Sequence, residues 1–411
     1  MRMLIVLLAS FTTWACAAQP TDRALDVAAW NRALLETADA EDGFLTLKGV
    51  RTAALMHIAM HETWRLAQGL SGYGFCLPPD EPTDPARAAA TAANAIATPA
   101  YPDARDRFGR LAGPRADEVY WARNCAVGII ASHVGDGWNR QVEYAWQAPA
   151  PGVYADFHEH SGTPEGFVFG RGWADVRPMV LTEIPRVPAP PAIDSDAYAR
   201  AWDEVRRLGA AESAERADDQ AHLAMWWKDF AERSFNRLAR DQIATSDIDT
   251  DDQLRLFALL NTALFDAYIA AFDNKYHYNH WRPYTAIRAA DDDGNEKTTA
   301  DPAWDNLHGH TYAFPSYPSA HGTVCGAAAA VFEATFGEDY AFRMVTATVD
   351  SAGPMSEPLA MQPPYRDFDS FDAAARECAL SRVYLGIHFR YDSDEGYRLG
   401  KQVGRTVTAK R

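Results

Sequence analysis

Three short segments in the last third of the chain carry residue types that can hold and transform an oxyanion. In the first, six residues separate Lys275 from Arg282, close to two helical turns, so both cationic heads can reach one pocket. An ammonium there supplies point charge, and a guanidinium supplies a planar fork for paired oxygens. Pro283 ends any helix just before it. In the second, Pro318 and Ser319 suit the start of a helix whose first turn would offer backbone amides beside the Ser319 hydroxyl and the His321 imidazole. Ser319 as a simple N-cap is the plainer reading of that residue. In the third, Ala373 to Leu385 reads as a helix that stops near Gly386 and turns His388 back toward the pocket. Asp392, four residues on, is placed to accept a proton from the far imidazole nitrogen, fixing its tautomer and raising the basicity of the other nitrogen.

Taken together, Lys275 to Pro283, Pro318 to His321 and Ser381 to Asp392 resemble a three-part signature, KxxxxxxRP, PSGH and SRxxxGxHxxxD. It belongs to the superfamily of vanadium-dependent haloperoxidases, type 2 phosphatidic acid phosphatases and bacterial non-specific acid phosphatases. The resemblance is strong over roughly 250 to 400 and loose before that. One departure is Ala320 in place of the glycine; alanine keeps the backbone amide, and what it puts in question is a close approach of anion or substrate. The resemblance implies an anion held by Lys275, Arg282, Arg382, Ser319 and the Ala320 amide. It makes His388 the vanadium ligand, or the nucleophile of a phosphatase, with His321 as acid/base group, Lys275 as electrostatic stabiliser and Asp392 behind His388.

Two chemistries share such a pocket because vanadate and the phosphoryl transition state have similar charge and shape. A vanadate-dependent haloperoxidase would oxidise halide with hydrogen peroxide and pass the oxidised halogen to a small organic acceptor. A secreted acid phosphatase would hydrolyse phosphomonoesters through phosphohistidine at His388. The 411-residue length and the 59 residues between His321 and Ser381 resemble the haloperoxidases more than the compact phosphatases. Phe314, seven residues before His321, stands where resembling chloroperoxidases carry phenylalanine. Phe314, Tyr276, His280 and Trp281 are candidates for a halide or substrate pocket, with aromatic packing between helices as the alternative. Haloperoxidase is therefore the expected activity, with vanadate as cofactor.

The elements that must position these residues read as helices. Apolar residues recur at helical spacing over 24–40, 51–67, 86–97, 116–135, 197–208, 211–239 and 251–272, while alternating strand patterns are scarce. Residues 137–190, rich in Gly, Pro, His and aromatics, read as a long irregular connection. The expected fold is all-α, helical bundles sharing a core, with an N-terminal region over 18–190 and the anion site in a C-terminal bundle over 191–411.

Residues 1–17 read as a signal peptide, with Arg2, an apolar run from Leu4 and an Ala15-x-Ala17 cleavage pattern. Cys16 leaves a lipid-anchored reading open, but Thr13 stands where that signal prefers an aliphatic residue, so a secreted or periplasmic protein is the expectation. No later run approaches a membrane span, and a net charge of −17 argues against nucleic acid and anionic membranes as partners. A homodimer is allowed, with no residue marking its interface. Cys76 and Cys125 are the expected disulfide, and Cys325, among small residues, reads as a buried thiol. Asp291 to Glu296 lacks the closing ligand of a calcium loop. His57 and His61 read as core histidines, and His158, His160, His308 and His310 as metal ligands only if their loops converge.

Overall fold

A computed structural model of the chain describes residues 25–42, 47–114, 119–155, 158–161, 163–164, 166–346, 348–349 and 359–410. The signal-peptide reading of 1–17 and the start of the 116–135 helix lie outside them.

The architecture is helical, as the periodicity requires. The N-terminal half contains α1 (Val27–Asp42), α2 (Leu47–Ala67), α3 (Pro85–Ala100), α4 (Arg105–Ala112), α5 (Tyr120–Ser132) and a short α6 (His158–Ser161). The rest contains α7 (Asp196–Leu208), α8 (Asp218–Trp226), α9 (Ala231–Thr245), α10 (Thr250–Tyr278), α11 (Pro283–Arg288), α12 (Ala320–Phe336), α13 (Phe371–Tyr384) and α14 (Arg390–Lys410). Two small antiparallel pairs lie between α12 and α13: β1 (Phe342–Val345) with β4 (Tyr365–Phe368), and β2 (Thr348–Val349) with β3 (Leu359–Ala360). One hydrophobic cluster runs from Val27 through Phe257 and Val324 to Val407, so both halves of the chain share a core.

At its centre is α10, which starts where the Asp249 side chain accepts from the Asp252 amide and ends at Asn279, left-handed at φ 48°. Among the described residues it is the one helix long and apolar enough to cross a membrane, but 89% of that window is buried inside protein. It is a core helix, and Lys275 sits in its last turn.

Close packing of α12 on α14 follows from their glycines. A Cβ at Gly396 would strike the Ser319 carbonyl, at Gly400 the Thr323 carbonyl, and at Gly404 the Ala327 carbonyl. Larger residues would push the two backbones apart and separate Ser319 from Asp392, whose carbonyl accepts the Ser319 amide at 2.9 Å.

Two expectations are corrected. The stretch 211–239 is not one helix: α8 and α9 are broken at Trp227 to Phe230, and the Trp227 carbonyl at the break becomes an anchor for the site. Cys325 is not a free thiol but is disulfide-bonded to Cys378, joining α12 to α13. The spacing of single cysteines on two buried helices carries no pairing information until the helices are docked. The Cys76–Cys125 disulfide forms as expected.

Candidate active site

Lys275 is wholly buried, and its ammonium donates to the carbonyls of Pro315 at 2.9 Å and Ser316 at 2.7 Å. These bonds aim it at the strap leading into α12. Burial, and then the neighbouring Arg282, push its pKa well below the ordinary lysine value.

Arg282 is also wholly buried, held by Nε to the Phe314 carbonyl and Nη1 to the Ile387 carbonyl, both at 2.9 Å. The same Nη1 lies 3.2 Å from His388 Nε2, while Nη2 has no partner. Arg382, in the last turn of α13, donates from Nη1 to the Trp227 carbonyl at 3.1 Å and meets the Tyr312 hydroxyl at 3.5 Å, leaving Nε unpartnered.

Ser319 is the N-cap of α12, its Oγ accepting the Gly322 amide at 3.1 Å. Capping does not exclude a role toward an anion, because the hydroxyl proton remains free to donate. The Ala320 and His321 amides occupy the first turn, where no helical carbonyl can reach them. The His321 ring bonds the Trp227 carbonyl and leaves Nε2 unpartnered.

His388 Nδ1 lies 2.9 Å from Asp392 Oδ2, so Asp392 is placed to hold the proton on Nδ1 and turn the Nε2 lone pair toward Arg282. Asp392 also accepts the Phe389 amide at 3.1 Å and the Ser316 hydroxyl. Burial raises its pKa, opposed first by the Ser316 hydrogen bond and the Lys275 charge. Burial and then Arg282 and Lys275 drive His388 well below 6.5; burial and Arg382 do the same to His321. Both imidazoles are therefore neutral until an anion offsets the cations.

Three cations and one carboxylate thus converge at the start of α12, with three of the nitrogens there, Arg282 Nη2, Arg382 Nε and His321 Nε2, lacking a partner among the described residues. A tetrahedral oxyanion supplies acceptors for the two guanidinium nitrogens, an O–H for His321 Nε2 where it carries a proton, and the missing negative charge.

Residues 255–411, the segment carrying all of these groups, match the family model described as VCPO second helical-bundle domain. Over those residues the chain is similar to the vanadium chloroperoxidases. Vanadium chloroperoxidase of Curvularia inaequalis is 28% identical over 187 residues, 37% of this chain, and the chain spans 30% of that relative's length. Two solved structures share the fold. One is described as the first bacterial vanadium-dependent iodoperoxidase, with TM-score 0.72 and 22% identity over 93% of this chain and 95% of that one. The other is a holo-type bacterial vanadium-dependent chloroperoxidase, with TM-score 0.66 and 17% identity over 88% and 90%.

Of the four aromatic candidates, Phe314 and Tyr276 pack near the start of α12. Phe314 lies beneath the cations, its ring centroid 4.7 Å from Arg282 Cζ and 5.1 Å from Lys275 Nζ. With Phe169, Trp173, Phe272 and Tyr276 it packs around Ala320. The other two are corrected: His280 bonds the Tyr391 hydroxyl at 2.8 Å among the rings of Tyr317 and Phe389, and Trp281 packs with Tyr198 and Trp202. Aromatic packing, the alternative reading, holds for both.

Sequence reasoning missed Ser316, Tyr312 and Trp227. Ser316, three residues before Ser319, lies just ahead of the Pro318 to His321 motif and was the one legible in principle. The Trp227 carbonyl acts through its backbone, which leaves no mark on residue type.

Proposed function

We propose that the chain is a vanadate-dependent haloperoxidase that oxidises halide with hydrogen peroxide to hypohalous acid or its equivalent, which a small organic acceptor consumes. The observation that carries this reading is the convergence of unpartnered guanidinium donors from Arg282 and Arg382 with the open His321 Nε2 on the start of α12, opposite a histidine braced by Asp392. Vanadate fits that donor set: Lys275, Arg282, Arg382, Ser319 and the Ala320 amide would hold its oxygens, and His388 Nε2 would bind the metal. When bound, the group supplies a Lewis acid that activates peroxide toward halide.

This chain's residues supply the rest. Asp392 and Ser316 keep His388 in one tautomer. His321 Nε2 is the atom placed to take the proton from incoming peroxide and return it to the leaving oxygen. Lys275, buried and held by two carbonyls, stabilises negative charge developing near Phe314. Two disulfides support export to an oxidising compartment after removal of residues 1–17.

The test is a paired assay on purified protein: halide-dependent oxidation of a phenol reporter with peroxide after vanadate loading, and hydrolysis of an aryl phosphate without it. Vanadate-dependent halide oxidation that disappears in His388→Ala is the expected result. Phosphate release inhibited by vanadate, with no halide oxidised from mildly acidic to neutral pH, would make the protein a phosphatase.

A further inference from the structure

A second group of buried nitrogens lies one aromatic ring away from the oxyanion cradle. His308 and His310 are 3% and 2% exposed, with ring centroids 4.0 Å apart. Both nitrogens of His308 and Nδ1 of His310 have no hydrogen-bond partner among the described residues. The loop holds them in place by its backbone: the His308 amide donates to the Leu385 carbonyl at 3.1 Å, and Asn306 Nδ2 donates to the His310 carbonyl at 3.2 Å. Both rings contact Tyr312, at 5.3 and 5.2 Å, and Tyr312 in turn meets Arg382 through its hydroxyl and stacks on Phe314 at 5.4 Å.

The sign of the surrounding charge selects the ligand. Lys228, 6% exposed in the break between α8 and α9, makes no ion pair among the described residues. The charged groups acting most strongly on His308 and His310 are Lys228, Arg382 and Arg282, with each other's ring or His160. A divalent metal would need a carboxylate or thiolate to offset those cations, and His160, the other described histidine of this group, is occupied by Thr311 and Asp305. Unpartnered N–H groups near Lys228, the one of these cations not spent on the cradle, suit a small monovalent anion. Apolar Leu223, Leu385 and Ile387 pack alongside Tyr312, and such surroundings favour an anion that sheds its water easily over a strongly hydrated one.

We propose that His308, His310 and Lys228 form a subsite for a small monovalent anion, which on the haloperoxidase reading is the halide awaiting oxidation, delivered past Tyr312 to the cradle. Neutral imidazoles suit this role, since burial pushes His310 down to about 4 and His308 lower still, so each offers an N–H without adding charge.

The experiment joins anomalous diffraction from bromide-soaked, vanadate-loaded crystals with steady-state kinetics. A bromide peak between the two rings and Lys228 is expected. His308→Leu and His310→Leu should each raise the halide KM about tenfold, the loss of one charge-assisted hydrogen bond, with peroxide KM and vanadate affinity unchanged within about twofold. His308→Gln, which keeps a donor, should recover part of the loss. Lys228→Met, which keeps the buried alkyl stem and removes the charge, gives the same readout if the histidine variants fail to fold. Halide oxidation by the wild type with no bromide at the pair and unchanged halide KM in the variants would overturn the subsite and leave the haloperoxidase reading intact. Bromide bound at the pair in a protein that oxidises no halide would uphold the subsite as an anion site and sink that reading instead.

Discussion

Two polar clusters of this protein look alike by composition and behave differently. In the N-terminal half, His57 on α2 is fully buried, stacked on Phe257 at 4.9 Å, and its Nε2 meets Asn31, which bonds Asn236, itself bonded to Asn261. In the C-terminal half, His388 and His321 face Lys275, Arg282 and Arg382. Burial depresses the pKa in both places, His57 to about 3. A shifted histidine is therefore no guide to function here. The difference lies in how the donors are spent. Amides around His57 bond one another and one cation, Arg240, donates into the network at Asn31. In the cradle three cations meet one carboxylate, and nitrogens on three different segments are left facing the same helix start.

Substitution at equivalent depth breaks the comparison most sharply. His388→Ala should lower halide oxidation by about a thousandfold or more while the protein stays folded. His57→Ala should cost about 2–4 kcal/mol of stability and leave turnover per folded molecule near wild type. Far-UV circular dichroism melts alongside specific activity measure both, and a comparable activity loss from both variants would erase the distinction. Next in size, Arg382→Ala should weaken vanadate affinity about a hundredfold, read from titration of apo-protein, because one charge-assisted donor and its counter-charge are lost. An unchanged affinity would remove Arg382 from the cradle.

A smaller effect tests support behind the ligand. Ser316→Ala removes one of the donors on Asp392 and should lower kcat about tenfold with little change in halide KM, moving the pH profile because Asp392 then binds a proton more readily. A loss confined to halide KM would contradict a positioning role.

An effect on stability rather than turnover belongs to the polar network of α9. Glu232, 1% exposed and accepting from the Tyr268 hydroxyl, is raised by burial from 4.5 to about 7. Its folded form binds the proton more tightly than the unfolded chain does. That contribution to stability is complete below pH 4.5 and is lost as pH rises through 7, about 3 kcal/mol between the limits. Melting temperature should therefore fall across that window, and Glu232→Gln should flatten the fall. Equal slopes in both proteins would show that Glu232 is ionised throughout.

How much was readable follows from where each constraint resides. Helical periodicity placed α10 and α13 because their apolar faces repeat along the chain. It ran α8 and α9 together because Trp227 to Phe230 contains no glycine or proline, and the break is imposed by docking of its carbonyl against Arg382. The anion residues were readable because charge, hydroxyl and imidazole are properties of residue type. His280 and Trp281 were misplaced because a residue's neighbour in sequence can face a different cluster once the backbone is extended, as it is at Arg282.

By itself, then, the sequence determined a helical chain with Lys275, Arg282, Ser319, His321, Arg382, His388 and Asp392 at spacings suited to one oxyanion. Tertiary structure alone decided which nitrogens remain unspent, that Cys325 pairs with Cys378, and that the His308 and His310 rings meet. The reason is physical: residue type fixes what a group can donate, but whether another group already accepts it depends on helices packed at backbone contact from distant parts of the chain, as at Gly396 and Ser319.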